Sequence, residues 1–101
     1  MNIEINKIYT IKLTNGDEIL TRITSDEGDS VTIEHPLLVI PSQQGLQMIF
    51  ALFTADPKTP VTLNKSACIM IVPAREEATD SFTEAVTGIK VTRNNSKILM
   101  G

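Results

Sequence analysis

The chain opens with alternating apolar and polar residues. Residues 9–13 (YTIKL) place apolar side chains at every second position, which is the period of a strand that turns one face to a core. Asn15 and Gly16 follow, and both residue types tolerate positive φ. The pattern therefore predicts a tight hairpin whose second strand runs over residues 18–24.

Three further strands are expected in the first three quarters of the chain. The polar segment 25–30 (SDEGDS) predicts a second reversal, and the pattern after it predicts a strand over residues 31–40 that bends at Pro36. The continuous apolar run 46–54 predicts a buried fourth strand. Two apolar segments around a tight turn complete the sheet: residues 61–63, which end one strand, and residues 68–72, which form the fifth.

The periodicity then becomes helical. Apolar residues recur on one face of a helix predicted over about residues 76–88, at Ala78, Phe82, Ala85, Val86 and Ile89. Ser81 and Glu84 have the spacing of a capping box, and Gly88 is a suitable helix stop. A helix of this length is marginal alone in water, so its apolar face must pack on the sheet.

These elements predict a mainly β fold. It is a strongly bent five-stranded antiparallel sheet, forming a small open barrel, with one short C-terminal helix. No repeat, low-complexity tract or linker divides the 101 residues, so we expect a single domain spanning 1–101. Its parts are a barrel at about residues 8–72, a helix at about 76–88 and a basic tail at 89–101.

Composition adds expectations about the core and the compartment. With 42% hydrophobic residues, four aromatics and no Trp, the core must be aliphatic. So short a chain buries a small fraction of its surface, which makes a stable lone monomer doubtful. Cys68, the only cysteine, cannot form an intrachain disulfide. Without an apolar leader or a run long enough to span a bilayer, we expect a cytoplasmic protein with no membrane partner.

Charge is distributed unevenly along the chain. The net charge is −3, which argues against indiscriminate coating of nucleic acid. All twelve acidic and six of the nine basic residues lie in residues 1–84, giving a net −6, and the remaining three bases give residues 85–101 a net +3. Lys90, Arg93 and Lys97 are therefore candidate contacts to a nucleic-acid backbone, or simply a solvated tail.

The first hairpin has a family resemblance. The pattern I-x-L-x-N-G-x-x-I at residues 11–19, followed by Ile23 and residues 31–33 (VTI), resembles the first motif of the Sm/LSm (Hfq-like) family. Residues 64–72 (NKSACIMIV) stand where the second motif lies. The resemblance covers about residues 8–72. The chain is also similar to small Sm-like proteins of cyanophage or marine-metagenome origin, which open with a similar LTNGDE stretch and end in a helix.

The resemblance implies assembly and a binding site. Sm-like copies join the fourth strand of one to the fifth of the next, so residues 46–54 or 61–63 would meet residues 68–72 in a homo-oligomeric ring of five to seven copies. The loops after the second and fourth strands line the pore of such a ring. Their counterparts here are residues 25–30 and the turn at Lys65 and Ser66, with Thr32 at a family Asn position.

Several departures weaken the implied base-binding chemistry. Thr21 stands where the family usually has glycine, and Lys65-Ser66 replaces Arg-Gly. Lysine keeps the charge but loses the planar guanidinium that stacks on a base. The pore would receive three carboxylates and one ammonium per copy, a local −2 that repels phosphate. We therefore expect weak binding, mainly by backbone charge, at the surface of Lys90, Arg93 and Lys97.

Other candidate residues have simpler interpretations. His35 has no second histidine beside it in the sequence, and Cys68 lies in an apolar run typical of a core. The acidic turn lacks EF-hand spacing. Phe50 and Phe53 are either core residues or exposed rings that stack on bases.

No pattern for catalysis, a metal or a cofactor emerges, so we expect a non-enzymatic module. It is either an Sm-like ring binding RNA or single-stranded DNA in nucleic-acid processing, or a phage or bacterial structural and assembly protein that uses the same barrel for protein contacts. Fold alone does not choose between these two functions.

Overall fold

The computed structural model describes residues 2–88. Within this range, six antiparallel strands form one sheet and a helix follows them. In chain order the elements are β1 (Lys7–Leu13), β2 (Glu18–Asp26), β3 (Ser30–Ser42), β4 (Gly45–Phe50), β5 (Val61–Asn64), a 3-10 turn (Lys65–Ala67), β6 (Cys68–Pro73) and α1 (Glu76–Thr87). No helix within residues 2–88 is long and apolar enough to cross a membrane.

The strands lie in the order β4-β3-β2-β1-β6, and β5 also pairs with β3. The mainly β class and the C-terminal helix are as predicted. The sheet differs from the prediction in two ways. It has six strands, because residues 61–64 form a strand separate from β4, and it is neither closed nor strongly curled. The strong bend predicted from the sequence is therefore wrong.

β3 changes partner along its length. Its first residues pair with β5, ending with Ile33 opposite Val61, and its later residues pair with β4, beginning with Leu37 opposite Phe50. Between them His35 has φ +54°, and Pro36 has no N–H to donate to a ladder. The predicted interruption is thus absorbed at one positive-φ residue, and β3 continues beyond it.

The first hairpin is confirmed. β1 ends at Leu13 and β2 begins at Glu18. Gly16 has φ +94°, a conformation that residues with a Cβ rarely adopt, and its N–H donates to the Leu13 carbonyl at 2.9 Å. The Asn15 side-chain oxygen accepts from the Asp17 N–H at 2.9 Å. Both residue types of the turn therefore have a local function.

The sheet buries apolar residues on both faces. The face away from the helix, called the distal face, carries one apolar cluster, to which β5 adds Val61 and Leu63. The buried members of this cluster are Tyr9, Ile11, Ile19, Ile23, Val31 and Ile33. The helix face carries Ile8, Leu20 and Leu37, which α1 covers with Phe82. Two clusters let a short chain bury more apolar area than one face allows.

The helix matches its predicted range, but its predicted start signal is wrong. Gly88 has φ +75° and its N–H donates to the Glu84 carbonyl at 2.8 Å, as expected of a stop residue. The N-cap is Arg75, without a side-chain cap, so Ser81 lies inside the helix and forms no capping box. The residues beyond Gly88, including Ile89 and the predicted tail, lie outside the described residues.

The prediction of a buried fourth strand over residues 46–54 is also wrong. β4 ends at Phe50, and Leu46 is 63% exposed. The reason is topological, because β4 lies at the end of the sheet and has only β3 beside it. Residues 51–60 leave the sheet as a loop in which Phe53 is 81% exposed, so Phe53 is not a core residue.

Candidate nucleic-acid interface and sheet edges

The turn between β2 and β3 lies beside the 3-10 turn. Their contact follows from strand register, since Ser30 is opposite Asn64. The Lys65 N–H donates to the Asp29 carbonyl at 2.9 Å, which fixes one turn against the other. Two segments far apart in sequence thus form one polar surface, called the Lys65 surface below, at the turn after β2 and the 3-10 turn after β5.

Lys65 is held within this surface by an ion pair. Its Nζ lies 2.9 Å from Asp26 Oδ1, and the Gly28 N–H donates to the same oxygen at 3.0 Å. The hydrogen bond from Lys65, followed by the one from Gly28, lowers the pKa of the Asp26 carboxyl below its usual value. The ammonium that would contact a phosphate is therefore already engaged by a carboxylate.

Thr32 also faces an acidic partner. Its hydroxyl donates to Glu27 Oε2 at 3.2 Å, and the Ser25 hydroxyl contacts the same carboxylate. With Asp26 and Asp29 nearby, the surface has three carboxylates against one ammonium, and like charge repels phosphate. The arrangement suits a rigid link between two turns better than an anion site.

The structure brings together three of the six predicted site residues. Thr32, Lys65 and Ser66 lie on this surface, whereas Lys90, Arg93 and Lys97 lie outside the described residues. Sequence reasoning missed Asp26 as the partner of Lys65. The family resemblance placed both turns at one pore, but the ion pair depends on strand register, which cannot be read from either turn.

The prediction that Cys68 is a small core residue is met only in part, because Cys68 is half-buried. It packs against the distal-face cluster, and its Sγ lies 3.6 Å from the Asn64 carbonyl oxygen. Burial raises the pKa of the Cys68 thiol, although the Lys65 charge opposes this, so little thiolate forms near neutral pH. Across residues 2–88, no group of His, Cys, Asp or Glu is arranged to hold a metal ion.

Most of the exposed large apolar side chains lie on or beside the two edge strands, β4 and β6. Eight large apolar side chains are exposed among the described residues, and seven lie on β4, on β6 or in the loop after β4: Leu46, Ile49, Leu52, Phe53, Ile69, Met70 and Val72. Neither β4 nor β6 contains a charged residue. Natural edge strands are usually protected by charge, so these two edges are suited to pairing.

A scan against protein-family models finds no match to this chain, and a search of curated proteins finds no relative.

Proposed function

We propose that this chain is a non-enzymatic, ring-forming module of the Sm-like kind, and that the assembled ring binds RNA or single-stranded DNA. The proposal is supported by the strand order. β4 and β6 are the two ends of the sheet, and they correspond to the strands that the family resemblance joins between copies. Contacts between two different edges are head-to-tail, and they close into a ring when the rotation fits.

One observation carries the proposal: exposed apolar side chains of β4 and β6 can face one another in a single register. Antiparallel pairing of β4 with β6 of the next copy, over all six residues of each strand, places Ile49 opposite Ile69 and Leu46 opposite Val72. Residues directly opposite in a sheet share a face. Within the chain, Ile49 lies opposite Leu38, a distal-face residue. Ile69 follows Cys68, which packs on that same face, at the bulge where β6 shifts its register against β1.

The second matched pair lies on the helix face. Leu46 is opposite Pro41, two residues beyond Val39, which packs on the helix-face cluster. Val72 is opposite Thr10, two residues beyond Ile8 of the same cluster. A single register therefore covers exposed apolar residues of both strands, whereas a shift of one residue would place Leu46 and Val72 on opposite faces.

The first prediction concerns this register. The purified chain is expected to be a ring of five to seven copies at micromolar concentration by light scattering. In a Cys68→Ser background, Leu46→Cys with Val72→Cys should give a ladder of disulfide-linked copies on oxidation. The control pair, Leu46→Cys with Met70→Cys, shares the same face but is a diagonal pair about 7–8 Å apart, too far for a disulfide. A stable monomer, or equal ladders from both pairs, would contradict the proposal.

Nucleic-acid binding is expected away from the acidic surface. Residues 85–101 carry a net +3, and the Lys65 surface carries an excess of carboxylates. Neutralising Lys90, Arg93 and Lys97 together should weaken binding more than Lys65→Ala does, and should lower the salt-dependence slope by about 2–3. Oligonucleotide titrations at low and moderate salt measure both effects. A uridine-selective complex lost with Lys65→Ala alone would instead locate binding in the pore.

The second candidate function is a phage or bacterial structural role in which the ring makes only protein contacts. It is favoured by the engagement of Lys65 with Asp26 and by the acidic excess of residues 1–84. A ring that binds no oligonucleotide even at low salt would support this second function and exclude the first.

A further inference from the structure

Phe53 is the most exposed large apolar side chain of residues 2–88. Its loop is nevertheless ordered by specific contacts. The Ala51 N–H donates to the Pro36 carbonyl at 2.9 Å, and Asp56 accepts from the N–H groups of Lys58 and Thr59. An aromatic ring presented to water by an ordered loop is typical of a residue that packs against a partner.

The position of the loop indicates which partner. β4 and β5 both pair with the same edge of β3, and residues 51–60 leave the sheet between them. The loop therefore emerges from the edge that the next copy would join. The register proposed above pairs residue 50 with residue 68 of the neighbour. Because the two strands would be antiparallel, the loop that follows residue 50 would begin beside the neighbour's 3-10 turn, Lys65–Ala67, which precedes residue 68.

We infer that Phe53 packs on the 3-10 turn of the neighbouring copy, so that the loop acts as a clasp between copies. This inference rests on the proposed edge pairing and adds a contact outside the strands. A second copy is favoured over nucleic acid as the partner because the apolar surface continues from Phe53 and Leu52 into β4, and because the Lys65 turn is acidic overall. The polar surface that contains the Lys65–Asp26 ion pair would then gain an aromatic ring from a second copy.

A fluorescence experiment tests the contact directly. The chain contains no tryptophan, so Phe53→Trp introduces a single reporter. Its emission is expected to shift to the blue as concentration is raised through assembly. Ile5→Trp is the matched control, since Ile5 is exposed but lies off both sheet edges, and its emission should not shift.

Mixed rings identify the contacting residue. Phe53→Trp copies in a Cys68→Ser background are mixed with tryptophan-free copies that carry a nitroxide on Ser66→Cys in the same background. Quenching of the tryptophan emission is expected with the Ser66 label and not with a label on Ile5→Cys. Quenching in mixed rings requires contact between different copies, so contacts within one chain cannot produce it.

The outcomes separate this inference from the proposed function. Rings that form while the introduced tryptophan stays exposed and unquenched overturn the inference and leave the edge pairing intact. A chain that stays monomeric at every concentration overturns the pairing and the clasp together. An emission shift that appears only when an oligonucleotide is added also overturns the clasp and assigns Phe53 to base stacking.

Discussion

Replacing Ile49 with lysine is expected to keep the chain as separate protomers. Ile49 is exposed in the protomer, so the substitution should not disturb folding. In the proposed pairing, however, the ammonium would be buried opposite Ile69, and an unpaired buried charge costs on the order of 3 kcal/mol or more. The assembly constant should fall by about 100-fold or more, measured by light scattering across a dilution series.

Two variants make the Ile49 result specific. Ile5→Lys introduces the same charge at a similarly exposed residue off the edges, and it should assemble like the parent chain. Adding Ile69→Glu to Ile49→Lys should restore part of the assembly, because the two charges would face each other across the joint. Assembly of Ile49→Lys at the parental concentration would show that β4 is not the joining edge.

Phe82→Ala is expected to cause the largest loss of folding stability. Phe82 is 1% exposed and is the residue of α1 buried against Ile8, Leu20 and Leu37. Removing a buried phenyl ring typically costs about 3–5 kcal/mol, and here it would also release the helix from the sheet. The Arg22 guanidinium lies 5.9 Å from the ring centroid, a contact that would be lost as well.

Urea unfolding followed by circular dichroism measures this loss. Ser81→Ala, at the exposed neighbouring position, is the control and should change the free energy of unfolding by less than about 0.5 kcal/mol. Both variants should be compared at a concentration where the parent is fully assembled, because assembly adds to apparent stability. A Phe82→Ala loss close to that of Ser81→Ala would mean that α1 is not part of the folding core.

Features fixed by local sequence were the most predictable. The Asn15-Gly16 turn and the stop at Gly88 depend on which φ values a residue tolerates, and both were found where expected. The helix start was not predictable in this way. Arg75 begins the helix without a side-chain cap, so the capping-box spacing of Ser81 and Glu84 was a coincidence of composition.

Features that depend on distant pairing were missed for a different reason. An apolar run such as residues 46–54 has the same pattern in a central strand as in an edge strand that lacks a partner, so the sequence did not distinguish burial within one chain from exposure at its edge. The link between Asp26 and Lys65 likewise depends on the register of β3 with β5. Their opposite charges and both turns were visible in the sequence, but the strand pairing that brings the two turns together was not.

The interrupted edge of β3 has a consequence for engineering. Ala51 and Val61 are anchored opposite Pro36 and Ile33, three residues and therefore about 10 Å apart along one strand. Both contacts are made to β3 and do not involve the residues between Ala51 and Val61. A longer loop is therefore expected to leave them in place, because the entropy cost of closing a loop grows only slowly with its length. In the proposed ring, peptide sequences inserted within residues 55–58 would then be displayed once per subunit, which would make the ring a multivalent scaffold.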